Sequence, residues 1–294
     1  MVGAGLRHRA DVGSTQALRY PAGSGPRYRG HVRCIVLSDL HVHRKPEAGE
    51  NRTLERLVAH LRQRFAAGTR PHVVITGDLT DNGAEDEYHR VVALLRPLVE
   101  DGFVLTACPG NHDVGLKGNS FMTSARIDFQ RHVLGELLGM ARARSSSDRM
   151  AELYPLVTQG SDAVLVGLDT ANDEGMLASG RIGRRQLELL REIVSERDRG
   201  KGLLVFLHHH PFDRRRSMRV EDAEAMLDLL DGQADVLCFG HRHVWGKWPG
   251  YRNIGVVLAS GKSTKQERRR GPWYWEVTVG RGAPQWARRL LPRR

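Results

Sequence analysis

The chain has 294 residues, enough to bury one large core or two small ones, and an ordinary apolar content of 40%. Lys and Arg number 45 against 34 Asp and Glu, a formal charge of +11 that favours anionic partners. No apolar stretch reaches the ~20 residues that cross a bilayer, the N-terminus lacks the apolar core of a secretory signal, and Cys34, Cys108 and Cys238 form no C-x-x-C pattern. These features speak against a membrane span, a disulfide framework and a zinc-thiolate scaffold, and a cytoplasmic protein with reduced, buried cysteines is expected.

Residues 1–30 are rich in Gly and Arg without periodicity and read as a basic arm ahead of a single domain over 31–294. Short apolar runs then recur, each followed by polar residues. They are "VRCIVL" before Ser38-Asp39, "HVVIT" before Gly77-Asp78, "FVLTAC" before Asn111-His112, "AVLVGL" before Asp169, "GLLVFL" before His208, and "DVLCF" before Gly240-His241. Runs of this length suggest strands buried on both faces. Helical patterns lie between them, over 51–67, 84–100, 121–141, 183–198 and 219–231. The alternation predicts an α/β fold with a substantially parallel sheet, whose chemistry gathers at the carboxyl ends of the strands. After residue 243 "NIGVVLAS", "PWYWEVTV" and "PQWARRL" read as successive strands without helices, so a mixed or second sheet is expected.

The metal-capable residues fall after those runs: Asp39 and His41 in "SDLH", Asp78 in "GDLTDNG", Asn111 and His112 in "PGNHD", His208, His209 and His210 in "HHHP", and His241 and His243 in "GHRH". Oxygen and imidazole donors without thiolates exclude a soft or cysteine-based site. The donors outnumber the needs of one ion and suit two cations about 3.5–4 Å apart around a phosphate. Residues i and i+2 of an extended chain face the same side, so Asp39 with His41, and His241 with His243, can each offer two ligands to one site. Gly77, Gly110 and Gly240 directly precede ligand candidates, where the backbone must pass close to an ion.

In this order the blocks resemble the calcineurin-like metallophosphoesterases, whose pattern runs D-x-H, G-D, G-N-H-D, a histidine block and G-H-x-H. The resemblance spans residues 39–243. It implies a four-layer αββα sandwich with two mixed sheets and two divalent ions (Mn, Fe or Zn). One ion takes Asp39, His41 and His243, the other Asn111, His209 and His241, and Asp78 bridges them. His112 stabilises the transition state or protonates the leaving oxygen, while His43, His208 and His210 line the pocket or orient ligands. The implied reaction is hydrolysis of a phosphoester, a phosphodiester in the first instance, by in-line attack of a hydroxide held between the ions. A phosphomonoesterase or nuclease on the same site is the alternative. Asp81 and Asp113 are expected to hold their own turns, and Asp169 to support the site indirectly.

Two other classes compete. "DLHVH" also opens the barrel of the polymerase-and-histidinol-phosphatase proteins and amidohydrolases, in which His41 and His43 would be ligands together. That reading leaves "GDLTDNG", "PGNHD" and "GHRH" unexplained. A non-catalytic nucleic-acid- or protein-binding module would use the basic arm, the basic run at 213–219 and the basic C-terminal tail, although every ligand position is chemically competent.

Overall fold

The computed structural model describes residues 19–21, 30–118, 120–144, 150–171, 178–265 and 272–292. In chain order its strands are β1 (Arg19–Pro21), β2 (His31–Leu37), β3 (His72–Thr76), β4 (Val104–Cys108), β5 (Gly115–Leu116), β6 (Ser120–Phe121), β7 (Leu156–Gln159), β8 (Ala163–Gly167), β9 (Gly202–Phe206), β10 (Val236–Phe239), β11 (Gly246–Pro249), β12 (Val256–Ala259), β13 (Trp273–Gly280) and β14 (Gln285–Leu290). The helices are α1 (Gly49–Arg64), α2 (Glu85–Glu100), α3 (Asn111–Val114), α4 (Thr123–Asp128), α5 (Ala141–Arg144), α6 (Met150–Leu153), α7 (Arg184–Glu196) and α8 (Ala223–Leu230).

Two mixed sheets lie at the centre. One has the order β14-β13-β2-β3-β4, the other β1-β7-β8-β9-β10-β12-β11, and β5 with β6 makes a small hairpin. In the first sheet β2, β3 and β4 are parallel and β13 and β14 antiparallel. In the second β8, β9, β10 and β12 are parallel, flanked by antiparallel β7 and β11.

The period-2 alternation of the strands divides the core into layers. Ala163, Leu165, Leu204, Phe206, Cys238 and Leu258 join one apolar cluster with the five-stranded sheet, α1 and α2. The alternate residues Val164, Val166, Leu203, Val205, Leu237 and Val257 pack with α7 and α8. Helix α1 buries Leu54, Leu57, Val58 and Leu61, the i, i+3, i+4, i+7 stripe of an amphipathic helix. The result is the expected αββα sandwich.

Differences from the sequence reading are local. The pattern over 121–141 resolves into α4 followed by a π-helical segment, Phe129–Leu137. Strand β7 is too short to stand out, and in β11 the residues Gly-Lys-Trp-Pro alternate between half-buried and exposed rather than forming an apolar run. The expected basic arm and the Arg268–Arg270 run lie outside the described residues, save Gly30 and Arg19–Pro21, the last pairing in parallel with β7. All three cysteines are free and buried. Burial pushes the Cys34 thiol up to about 12, which keeps it protonated and unreactive. No helix among the described residues is long and apolar enough to cross a membrane.

Candidate metal centre

Where the parallel strands end, the chain turns at once and the turning residues carry the chemistry. Asp39, His41, Asp78, His241 and His243 all have positive φ, between 44° and 71°. They are five of the eight non-glycine residues in that region among the described residues. Left-handed backbone is costly for a residue with a Cβ and persists only where the surrounding structure enforces it. Here Asp39 N and His41 N donate to the carbonyls of Gly77 and Asp78 (both 3.0 Å), and Gly240 N donates to His208 O (2.9 Å). The loops after β2, β3, β9 and β10 are thereby stitched together.

Four side chains form the first group: Asp39, His41, Asp78 and His243. His243 Nε2 lies 3.2 Å from Asp39 Oδ1 and 3.0 Å from His41 Nε2, and His41 Nε2 lies 3.6 Å from Asp78 Oδ2. The Ser38 hydroxyl donates to Asp39 Oδ2 at 2.5 Å, which leaves Oδ1 aimed at the histidines. On its other side His41 presents Nδ1 to the Asp81 carboxylate at 3.4 Å.

The second group adjoins the same carboxylate oxygen. His208 Nε2 lies 3.3 Å from Asp78 Oδ2 and 3.1 Å from Asn111 Oδ1, and His241 Nδ1 lies 3.1 Å from Asn111 Oδ1 and 3.2 Å from His208 Nε2. Asn111 donates through Nδ2 to Gly118 O, so its oxygen faces the histidines. His208 donates through Nδ1 to Thr76 O at 2.8 Å, so Nε2 faces inward. His209 belongs to a convergent trio with His208 and His241, but its Nδ1 is engaged by the Thr170 hydroxyl at 2.9 Å. His208 thus stands against Asp78 and Asn111, and the Thr170 hydroxyl orients the ring of His209 beside it.

The remaining sequence candidates separate. His112 is tied by Nδ1 to Asp81 O (2.7 Å), its ring 4.6 Å from that of His41, and its backbone N–H donates to Asp78 Oδ1 (2.9 Å). His43 sits apart, 3.6 Å from Asp81 and 3.9 Å from Glu50, its backbone bracketed by Asn51. His210 leaves the site altogether and packs among Phe212, Phe239 and Trp248. Asp113 holds its turn, accepting from Gly110 N, Thr80 N and the Thr80 hydroxyl. Asp169 pairs with Arg126 and accepts from Ala171 N. Asp81 does more than hold its loop, since it orients His41 through its carboxylate and His112 through its carbonyl. Ser38 gives no sequence signal beyond adjacency to Asp39, and Thr170 none beyond adjacency to Asp169.

Comparison with known proteins places this geometry. The sequence model of the calcineurin-like phosphoesterases matches residues 32–245, which covers both donor groups. The chain belongs to that family. Its two mixed sheets exclude a barrel of the amidohydrolase kind. A protein of Rhodopseudomonas palustris named "Probable cyclic nucleotide phosphodiesterase" is 25% identical over 187 residues, 60% of this chain and 59% of that one. A 3',5'-cyclic adenosine monophosphate phosphodiesterase of Haemophilus influenzae is 22% identical over 188 residues, 61% and 58% of the two chains. The match therefore spans about three-fifths of these two relatives' length.

Among solved structures, purple acid phosphatase from yellow lupin seeds superposes with a TM-score of 0.59 at 15% identity, over 92% of this chain and 52% of that one. GAP50, the anchor in the inner membrane complex of Plasmodium, gives 0.58 at 11% identity, over 90% and 86%. An acid phosphatase and an anchor share this family fold, so activity has to be argued from the site.

The donor set fits cations. Asn111 Oδ1, His208 Nε2 and His241 Nδ1 stand 3.1–3.2 Å apart, close to the roughly 3.3–3.5 Å that metal–ligand bonds of 2.0–2.1 Å give around a tetrahedral centre. Buried Asp39 Oδ1 makes no hydrogen bond among the described residues, a cost that coordination would remove. Burial works against ionising Asp78, yet His208, His112 and His41 hold its carboxyl well below the usual range. Burial likewise opposes a charged His208, but Asp78 and Asp39 push it up to about 9. His241 is driven well below its ordinary value by burial and by its neighbours His209 and His208, so it stays neutral and able to ligate.

Glycines make room for this density. A Cβ on Gly110 would lie 2.2 Å from Asp78 Oδ1, and one on Gly240 would lie 1.9 Å from Ser38 Oγ. Beside the centre opens a cleft of about 660 Å³ whose walls include His43, Arg44, Lys45, Asn82 and Lys117.

Proposed function

We propose that the chain is a dinuclear-metal phosphodiesterase in which Asp78 bridges two cations. One is held by Asp39, His41 and His243, the other by Asn111, His208 and His241. The observation that carries this reading is the position of Asp78 Oδ2, 3.6 Å from His41 Nε2 and 3.3 Å from His208 Nε2, at the seam of the two donor groups. The assignment puts His208 in the place that the sequence gives to His209, which becomes a neighbour oriented by Thr170. Bound cations supply the Lewis acidity that polarises the phosphoryl group and lowers the pKa of water. Their identity follows from availability among Mn, Fe and Zn, all of which accept mixed imidazole and oxygen donors.

This chain's residues do the rest. Ser38 and Asp81 fix the orientation of Asp39 and His41. The Thr76 and Gly118 carbonyls do the same for His208 and Asn111, so the donors need not reorganise on binding. His112 is anchored at Nδ1 by the Asp81 carbonyl, and as the imidazolium it would give its Nε2 proton to the departing oxygen. A diester carries a second substituent that needs space beside the phosphate, which the cleft bounded by His43, Asn82 and Lys117 provides. Its walls carry Arg44, Lys45 and Lys117 beside Glu47, Glu50 and Glu87, so cationic groups are at hand for a phosphate within a wall of mixed charge. The names of the two relatives favour a cyclic nucleotide as the diester.

The test is hydrolysis of cyclic AMP, bis(p-nitrophenyl) phosphate and p-nitrophenyl phosphate by the Mn-supplemented protein, with and without chelator, beside Asp78→Asn. Diester hydrolysis that chelator and Asp78→Asn both abolish is expected. Equal rates for wild type and variant would overturn the assignment, and activity on the monoester alone would overturn the diesterase reading.

A further inference from the structure

A second cluster of metal-capable side chains lies where α2 meets the π-helical segment. Glu85 and His89 are one turn apart on α2, and His132 projects from the segment between them. One donor atom from each lies within 4.8 Å of the others. His132 Nε2 stands 3.6 Å from Glu85 Oε1, and the rings of His89 and His132 meet edge to face at 4.6 Å. None of these residues is shared with the catalytic groups.

Proximity alone would not make a site, but His132 is a decisive second observation. Its side chain is only 7% exposed, its Nε2 is buried without a hydrogen-bond partner among the described residues, and that nitrogen faces Glu85. The other ring nitrogen, Nδ1, is backed at 3.3 Å by the carboxylate of Glu136, one turn further along. A carboxylate behind one imidazole nitrogen fixes the ring and raises the basicity of the other, the arrangement found behind metal-ligating histidines. The ring of Tyr88 stacks against His132 from α2. The chain also makes its rare helix form here, nine residues of π-helix, a geometry that concentrates at functional sites.

We propose that Glu85, His89 and His132 bind a zinc ion at a site separate from the catalytic centre, clamping α2 to the Phe129–Leu137 segment. Two imidazoles and a carboxylate are a three-ligand set that zinc accepts with solvent in the fourth place. The 3.6 Å between His132 Nε2 and Glu85 Oε1 nearly matches the separation of two donors on one tetrahedral ion, and closing on it takes rotation of exposed His89 and Glu85, the latter trading its 3.6 Å pair with exposed Arg131 for the ion. Asp128 stands within the same field. Burial and the Glu85 carboxylate push its carboxyl up, against the opposing pull of His132, Arg131 and His89. A bound cation would relieve that crowding. The Tyr88 hydroxyl donates to the carbonyl of Asp113 in the turn that carries Asn111 and His112, so the clamp would also bear on the helix that supports the catalytic turn.

The experiment is zinc content per chain, by elemental analysis, after equilibration with buffered micromolar zinc and removal of excess. Wild type is compared with His89→Gln and Glu85→Gln, both at exposed positions where the fold is not at risk. His89→Gln should carry one zinc fewer than wild type, and Glu85→Gln should release that zinc at least tenfold more readily to a competing chelator. Asp78→Asn should keep it, which separates this site from the catalytic one and leaves the inference independent of the phosphodiesterase reading. Replacement of the ion by cobalt should give visible bands typical of low-coordinate Co²⁺ that His89→Gln lacks. Equal zinc content in wild type and His89→Gln would overturn the proposal, as would a zinc that Asp78→Asn and His89→Gln both remove.

Discussion

Gly110→Ala tests the construction of the centre without touching a ligand. A Cβ at residue 110 would stand 2.2 Å from Asp78 Oδ1, 2.5 Å from Asp78 N and 2.9 Å from Asp78 Cγ, where ordinary contact begins near 3.4 Å. The carboxylate must retreat by about 1.2 Å, since the backbone on either side is held by the strand ends. That movement breaks the 2.9 Å hydrogen bond from His112 N and carries Oδ2 away from His41 and His208. Misplacement of a reacting group by ~1 Å can cost on the order of 10²-fold in rate. The lost charge-assisted hydrogen bond adds about 1.5–3 kcal/mol of destabilisation. We therefore expect kcat/KM on a diester to fall at least a hundredfold at saturating Mn, with reduced metal content and a lower Tm. Gly49→Ala is the control for metal content and Tm, because its added Cβ would meet nothing within 4 Å. A Gly110→Ala protein with wild-type rate and metal content would refute the argument that Asp78 has no room to move.

Other consequences are measurable in the same way. His208→Ala should lose most of the metal held with Asn111 and His241, whereas Thr170→Val, which only unties His209, should cost about 10- to 100-fold in affinity or activity at most; elemental analysis and rates on the two variants decide between the neighbouring histidines. His112→Ala should retain metal but lose roughly 10²–10⁴ in kcat, with a smaller loss for a p-nitrophenolate leaving group, which needs no proton, than for an alkoxide. His72, buried at the start of β3, is pulled down by burial to about 4 from 6.5. The unfolded chain therefore takes up this proton first as pH falls, and stability should drop between about pH 6.5 and 4 by roughly 3 kcal/mol. Denaturant titrations of wild type and His72→Gln at pH 7 and 4 should differ by that amount, and equal pH responses would refute it. Leu61→Ala, in the fully buried stripe of α1, should cost about 2–5 kcal/mol.

Much of the fold is legible in the sequence because the parallel strands are buried on both faces, which writes "HVVIT" and "GLLVF" as unbroken apolar runs. Edge strands obey no such rule, and β11, with Lys247 and Pro249 turned outward, looks like a loop until its pairing with β12 is seen. The π-helical turn is equally hidden, since nine residues of one helical type read like those of another. At the site, the placement of Asp39, His41, Asp78, Asn111, His241 and His243 follows from their positions just after strands. The choice between His208 and His209 does not. It rests on partners far along the chain, Thr76 for one ring and Thr170 for the other, and on which way the chain turns as it leaves β9. The role of Asp81 is hidden for a related reason: its contact with His112 is made by its backbone carbonyl, which no residue type announces.

The left-handed backbone at Asp39, His41, Asp78, His241 and His243 sets protein stability against catalysis residue by residue. Each of these positions would suit glycine better than the side chain it carries, by a margin on the order of 1 kcal/mol. Selection for thermal tolerance alone would therefore erode the centre, one glycine at a time, and produce a sturdier protein with nothing to hold a phosphate. That five such positions still carry carboxylates and imidazoles is how a cost in folding comes to mark a requirement for chemistry.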